Sequence, residues 1–332
     1  MRDVAFLLIS LGVILLGAEA FTNSVEWLGK RLGLGAGAVG SILAAIGTAL
    51  PETMVPIIAI VFGHGTVNAS EVGIGAILGA PFMLATLAFF ISGVAASLTR
   101  VGGLKREYMR VDRSIIERDL RFFLLSYTAA ILVSFLPAHG VKEVAAFLLI
   151  GAYIFYAWQT IRDGQGVDEG DLAALYFAPR SKDPSTKLIV AQLAGALLLI
   201  VFGARNFVTS VENLSLTWGI PAFILSMIIT PVATELPEKF NSVIWISKGK
   251  DTLAIGNITG AMVFQSSIIP AIGILLTPWQ LEPLALVSAV LAILAALTPY
   301  LYVRARGVIK PSQLLVGGVF YLVFLAAVIV WH

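Results

Sequence analysis

Apolar residues in this chain come in long blocks, and polar residues gather into shorter stretches between them. About 20 consecutive apolar residues cross the hydrocarbon core of a bilayer as a helix. On that scale the pattern predicts ten membrane-spanning helices, at 4–28, 36–63, 71–98, 122–138, 141–162, 187–213, 221–247, 252–277, 280–303 and 311–331. Pro221 and Pro311 stand at predicted span starts, where the missing N–H has no helical partner to lose. Two polar connectors are longer than the others. The stretch 99–121 is expected to include a short amphipathic helix at the membrane surface, and 162–187 to be a solvated linker between two halves.

Composition sharpens this picture. Of 332 residues 58% are hydrophobic and 13% charged, with a mean hydropathy of +0.92; soluble domains carry roughly 25% charged residues. The net charge of +2 gives no footing for nucleic acid. There is no cysteine, which removes disulfides, thiolate metal sites and cysteine nucleophiles together. His64, His139 and His332 fall at predicted span ends and are not read as a shared metal site. The first apolar block has a counterpart later in the chain, so it is read as a retained helix rather than a cleaved signal.

Cytoplasmic connections of membrane proteins collect Lys and Arg. The odd-numbered connections here hold 18 of the 22 basic residues, among them Lys30, Arg31, Arg106, Arg110, Arg180, Lys182, Lys250 and Arg304. That bias places both termini outside the cytoplasm, in a cell's inner (plasma) membrane.

The chain also repeats itself. "TALPE", ending at Glu52, returns as "TELPE", ending at Glu238, 186 residues later. The same offset lays "GAEAFTNSVEWL" from Gly17 onto "GARNFVTSVENL" from Gly203, so Phe21 falls on Phe207 and Glu26 on Glu212. "IGAILGA" from Ile74 matches "IGNITGA" from Ile255 after a small change in loop length. Three collinear matches indicate duplication. Five helices per half send the second copy into the membrane from the opposite face. The expected fold is therefore an all-α integral membrane protein of ten transmembrane helices in two inverted five-helix repeats. The repeats would be 1–162 and 187–332, with a cytoplasmic linker at 163–186. Inverted repeats are a transporter architecture whose site lies near the bilayer midplane, between broken helices. The corresponding candidates for breakage are 36–63, with Pro51 and Pro56, and 221–247, with Pro231 and Pro237.

The residues at those prolines suit a cation. A proline inside a helix cannot donate to the carbonyl four residues back, so Pro51 would free the Gly47 carbonyl and Pro237 that of Ala233. Thr48 and Thr234 add hydroxyls, and Glu52 and Glu238 follow the prolines directly. All are hard oxygen ligands of the kind calcium takes in sets of about six to eight. Two facing glutamates repel when ionised and empty; a divalent cation, protons or sodium ions relieve that. Carboxylates inside a membrane are functional by default. Threonines there often bond their own helix backbone instead. Gly75, Gly79, Gly256 and Gly260 are read as close-packing positions, and the matched Glu19 and Arg205 as charges near span ends rather than ligands.

With these motifs the chain resembles the sodium/calcium exchanger superfamily, the cation/calcium antiporters. That family carries a "GTSLPE"-like and a "GNxxGSNxxN/D"-like motif in each of two inverted repeats. The counterparts here are "GTALPE" (47–52), "ATELPE" (233–238), "GAILGAPFML" (75–84) and "GNITGAMVFQ" (256–265). The resemblance implies that Thr48, Glu52, Thr234 and Glu238 contact calcium. It also exposes departures at family sodium-site positions: Ala49, Ala80, Pro81, Leu84, Ala261 and Met262 have no side-chain oxygen. Gln265 stands where an acid is lost, and Glu235 has appeared one helical turn before Glu238. Lys239 either pairs with Glu235 or faces elsewhere. A glutamate that titrates near neutral pH would carry protons in place of sodium.

The candidate metal ligands are thus Glu52, Glu238, Thr48, Thr234, Glu235 and Gln265, with the carbonyls of Gly47 and Ala233. The expected function is secondary-active antiport by alternating access, with calcium or a related divalent cation as substrate and sodium or protons as counter-ion. The first and sixth helices would rock past the rest. Inorganic cations and the lipid bilayer are the expected partners, no organic cofactor is implied, and a monomer is compatible with the plan. The alternatives are a proton-coupled exchanger of another cation, a passive channel and a non-transporting relative. Nothing points to an enzyme: no nucleotide loop, nucleophile–base pair or soluble catalytic domain is visible.

Overall fold

A computed structural model of the chain describes residues 2–32, 49–63, 67–101, 104–162 and 172–331. Its helices are α1 (Arg2–Arg31), α2 (Leu50–Phe62), α3 (Val67–Met83, continued by a π-helical turn Leu84–Ala88 and then Phe89–Leu98) and α4 (Arg113–Val133). They continue as α5 (His139–Arg162), α6 (Thr186–Trp218), α7 (Ala222–Ser247), α8 (Asp251–Leu276), α9 (Pro283–Arg306) and α10 (Pro311–Trp331). Among the described residues seven stretches are long and apolar enough to cross a membrane: Arg2–Arg31, Asn68–Leu98, His139–Thr160, Thr186–Trp218, Asp251–Leu276, Pro283–Arg306 and Pro311–Trp331. The helix α2 and the stretch Ala222–Glu235 are apolar but shorter. The chain is a multi-pass membrane protein.

Helix ends follow local chemistry. Asp112 caps α4, its Oδ1 accepting from the Ser114 N–H at 2.9 Å and the Ser114 hydroxyl at 2.6 Å. Gly219 and Gly307 close α6 and α9 at φ +69°, donating to Ser215 O and Val303 O at 2.9 and 2.8 Å. Prolines open α9 and α10. In three places the structure departs from expectation. The connector 99–121 holds no separate surface helix: it pairs as the hairpin β1 (Arg100–Val101) with β2 (Leu104–Lys105), and α4 starts at Arg113. Gly-Gly between two short strands is a hairpin signal, and the capping aspartate fixes the helix start. The helix α7 runs unbroken through Pro231 and Pro237, because each proline deletes a single backbone bond while the flanking bonds persist. The linker is not simply solvated, since part of it docks on α1 and α6.

The chain forms two compact units, each drawn from both halves of the sequence. One comprises Met1–Val72 and Ile154–Ala222. Here α1 and α6 pack along each other through glycines. A Cβ at Gly17 would lie 2.8 Å from the Ile200 side chain, and one at Gly203 would lie 2.7 Å from that of Ile14. Gly17 and Gly203 are repeat counterparts, and so are Ile14 and Ile200. The register runs backwards, 14 against 203 and 17 against 200, so the two helices are antiparallel. Across this pair lies the linker segment 172–178. Leu175 is fully buried against Trp27 and Ile189. The Trp27 Nε1 donates to Ala173 O at 2.9 Å, and Gln192 accepts from the Phe177 N–H at 2.8 Å while donating to Asn23 at 2.9 Å. An apolar segment with open backbone groups finds both a greasy groove and polar partners there.

The other unit comprises Gly73–Tyr153 and Phe223–His332. Gly75 and Gly79 let α3 approach the backbone of α7, a Cβ at Gly75 falling 2.5 Å from Phe223 O and one at Gly79 falling 2.7 Å from the Pro231 ring. Gly256 and Gly260 do not behave alike: among the described residues nothing lies within 4 Å of a Cβ there. The π turn of α3 presses its Thr86 backbone onto Gly317 of α10. The segment between β2 and α4 is stapled down. Met109 exchanges backbone bonds with Ile309, and Arg106 pairs with buried Asp251 at the start of α8, which also accepts from the Arg110 N–H at 2.8 Å. Beyond the far end of α8, buried Lys142 donates to the carbonyls of Pro278 and Trp279 at 2.7 and 3.2 Å.

Candidate functional site

The first-repeat motif sits at a helix start. Leu50, Pro51 and Glu52 form the first turn of α2, with Ala49 as its N-cap residue. Glu52 is only 5% exposed. A carboxylate in the first turn is favoured by the positive end of the helix dipole. Pro51 and Pro56 are buried beside it. Gly47 and Thr48 lie outside the described residues.

The second-repeat motif lies within α7. Thr234 is buried, and its Oγ1 donates to Thr230 O at 3.0 Å. The hydroxyl hydrogen is thus committed to its own helix, as membrane threonines often are, while the oxygen retains a lone pair. One residue on, Glu235 is 2% exposed and accepts from Gln265 Nε2 of α8 at 3.2 Å. Gln265 is equally buried, and its Oε1 has no hydrogen-bond partner among the described residues. An orphaned amide oxygen in an apolar interior is unfavourable by about 1–3 kcal/mol, and a cation or a bound water would satisfy it. Ala233 is half-buried. Glu238 continues α7, but its side chain and that of Lys239 lie outside the described residues. Thr234, Glu235 and Gln265 are therefore brought together in one unit, and Glu52 is buried in the other. Among the described residues no three acidic or histidine side chains converge.

One buried acid was not expected. Asp119 of α4 is 2% exposed and accepts from the Thr259 hydroxyl of α8 at 2.8 Å, with Arg118 Nε 3.6 Å from its other oxygen. The signal was present as helical spacing. Ile116, Asp119, Leu120, Phe123 and Tyr127 share one stripe and all are buried, so Asp119 occupies a core position of an otherwise apolar face. Further along the α7–α8 contact, the Ser242 hydroxyl donates to Ala254 O at 3.2 Å and accepts from Asn257 at 3.4 Å. Polar groups therefore recur along α8 from Asp251 to Gln265.

The family model described as sodium/calcium exchanger protein matches residues 3–162 and 188–331, nearly the whole chain in two stretches. The chain belongs to the sodium/calcium exchanger family. Among its relatives, the sodium/calcium exchanger MaX1 of Methanosarcina acetivorans is 26% identical, with 98% of each chain covered. Inner membrane protein YrbG of Escherichia coli is 25% identical over 85% of this chain and 82% of its own. The putative antiporter CaxA of Alkalimonas amylolytica is 22% identical over 84% and 82%. The fold is also that of the H+/Ca2+ exchanger CAX, at a TM-score of 0.73 and 14% identity over 98% of this chain and 82% of that one. The exchanger NCX_Mj follows at 0.57 and 19%, with 98% of each chain covered. The first-repeat "GAILGAPFML" segment packs tightly within its unit. Ala80, Phe82, Met83 and Leu84 are all buried, and Phe82 stacks on Tyr321 at 5.6 Å between ring centroids.

Proposed function

We propose that this protein is a secondary-active cation antiporter that exchanges calcium, or a related divalent cation, for sodium or protons by alternating access. One observation carries the reading: each motif segment holds a buried carboxylate, Glu52 at 5% exposure and, at a position not equivalent to it in the repeat, Glu235 at 2%. A transported cation is the natural compensation for such groups. In this reading Glu235, Glu238, the Thr234 hydroxyl, the Gln265 amide oxygen and the Ala233 carbonyl are one set of cation ligands, and Glu52, the Thr48 hydroxyl and the Gly47 carbonyl are the other.

The proposed plan is ten spans in two inverted repeats, 1–162 and 187–332, joined by a cytoplasmic linker at 163–186. It has both termini outside, in the inner (plasma) membrane. The reciprocal glycine contacts support the inversion. A direct tandem copy would leave counterpart helices parallel, whereas α1 and α6 exchange Gly17–Ile200 for Gly203–Ile14 in antiparallel register. Protons compete with sodium for the counter-ion role because Ala80, Pro81, Leu84, Ala261 and Met262 offer no side-chain oxygen. Radiolabelled calcium uptake into proteoliposomes, with sodium and pH gradients imposed separately, tests both points. Uptake driven by one gradient and abolished by its collapse is expected. Uptake that ignores both gradients and follows voltage alone would indicate a channel.

A further inference from the structure

Where α9 meets α10 the surface carries an open groove of about 620 Å³. Its α9 wall is Leu294, Leu297, Thr298, Leu301, Tyr302 and Ala305. These residues recur at steps of three and four, so they form one stripe along the helix. Gln313 and Phe320 of α10 make the other wall. The connection 307–310 is short, which makes α9 and α10 antiparallel neighbours. Gln313, near the start of α10, therefore stands close to the level of Arg306, the last residue of α9.

The groove grades from polar to apolar. Exposed Arg306 and half-buried Gln313 border its polar end, with Tyr302 one turn below Arg306. Further along, leucine and phenylalanine form the walls. The Thr298 hydroxyl brings no spare donor there, since it donates to Leu294 O of its own helix at 3.1 Å. Leu294 and Leu301 keep 43% and 53% of their surface exposed, in a helix long and apolar enough to cross a membrane. Twelve residues separate Leu294 from Arg306, about 18 Å of helix. Half of a hydrocarbon core of about 30 Å is nearly that long, so the groove runs the depth of one leaflet.

The two arginines that close α9 are placed differently. Arg304 lies 3.9 Å from Glu117 of α4 and donates to the Tyr300 hydroxyl at 3.2 Å. Arg306 is about 200° around the helix from it, at the groove, where no acid lines the walls among the described residues. Its guanidinium offers a planar fork of donors that matches a phosphate.

We propose that this groove binds an anionic glycerophospholipid. Arg306 holds the phosphate, Gln313 and Tyr302 meet the polar headgroup region, and one acyl chain lies between α9 and α10. An anionic lipid supplies a charge for Arg306 and a flexible chain for the apolar walls, in the order in which the groove presents them. With the orientation proposed above, the groove opens to the cytoplasmic leaflet, where anionic lipids are concentrated and basic pockets between transmembrane helices take their headgroups.

The test titrates the delipidated protein in detergent with phosphatidylglycerol, with phosphatidylcholine of the same chains and with inorganic phosphate, and counts bound molecules by native mass spectrometry. The wild type is expected to bind its first phosphatidylglycerol about fivefold more tightly than phosphatidylcholine, the factor that one basic side chain contributes toward an anionic lipid. Arg306→Lys should keep most of that preference and Arg306→Gln should abolish it. Arg304→Gln should leave it unchanged. Leu297→Trp fills the apolar part while Arg306 stays in place, and should weaken both lipids. Equal binding of the two lipids by the wild type, a preference that survives Arg306→Gln, or indifference to Leu297→Trp overturns the proposal. Inorganic phosphate that binds as tightly as phosphatidylglycerol overturns it too, because the acyl chain then contributes nothing. Oxidative dimers of Leu301→Cys in phosphatidylcholine vesicles would give the groove to a second copy of the chain, with the same consequence. Binding needs no flux, so each of these outcomes leaves the antiport reading untouched.

Discussion

Glu52 and Glu235 are buried, and an ionised carboxylate in an interior is expensive unless it is paired or hydrogen-bonded. Replacing a glutamate by glutamine keeps shape and most hydrogen bonding while deleting the charge, so it separates transport from folding. Glu52→Gln and Glu238→Gln are each expected to abolish calcium flux and leave the protein folded, as judged by detergent-solubilised size and melting. Glu235→Gln preserves an acceptor for Gln265 Nε2 and should lower flux by about tenfold or more, because divalent affinity follows the number of charged ligands. Wild-type flux in any of the three would remove that residue from the cation ligands. The proline–glutamate motifs were legible in the sequence because they sit inside apolar runs and recur at one offset. Asp119 was not, because it has no counterpart in the repeat and its neighbours read as a polar connector. Its burial emerges only when α4 is set against Thr259 of α8.

Membrane helices assemble without a hydrophobic drive between them, so close backbone approach has to supply the attraction. The α1–α6 contact does this through Gly17 and Gly203, each under the other helix's isoleucine. Gly17→Val and Gly203→Val should each destabilise the protein by about 1–3 kcal/mol through overpacking, measured by thermal unfolding in detergent. Because the two positions exchange under the repeat, their losses should be similar; a large loss at one and none at the other would contradict the symmetry of the pair. Seven of the spans were readable, because length and apolarity decide them; the one expected at 122–138 is instead α4, Arg113–Val133, whose start the Asp112 cap sets. Pro311 and Gly307 mark ends that agree within a few residues. Connectors were not readable, since distant partners decide their form. Met109 takes its backbone bonds from Ile309, Arg106 finds Asp251, and Leu175 is buried only because Trp27 and Ile189 form its groove. The unbroken course of α7 belongs with these. Two prolines predict a break locally, and packing of Pro231 against Gly79 holds the helix in line.

Orientation is a property of the whole chain. The bias of 18 basic residues among 22 toward the odd-numbered connections is a strong field for topology, because Lys and Arg near span ends resist translocation. Several of these residues hold connectors in place. Arg31 donates to Pro184 O at 2.9 Å and pairs with Asp183 at 3.1 Å, fastening the end of α1 to the linker. Arg106 and Arg110 clasp the start of α8. The chain has no cysteine of its own, so a single introduced thiol reports its side without background. Lys182→Cys, Lys250→Cys and Arg306→Cys stand on odd connections at exposed positions, and Trp218→Cys and Gln280→Cys on even ones. In intact cells a membrane-impermeant maleimide should label the last two and leave the first three unmodified until the membrane is opened. Complete reversal of that pattern would invert the molecule. A mixed pattern within either set would break the ten-span plan, and with it the requirement that two five-helix copies enter the bilayer from opposite faces.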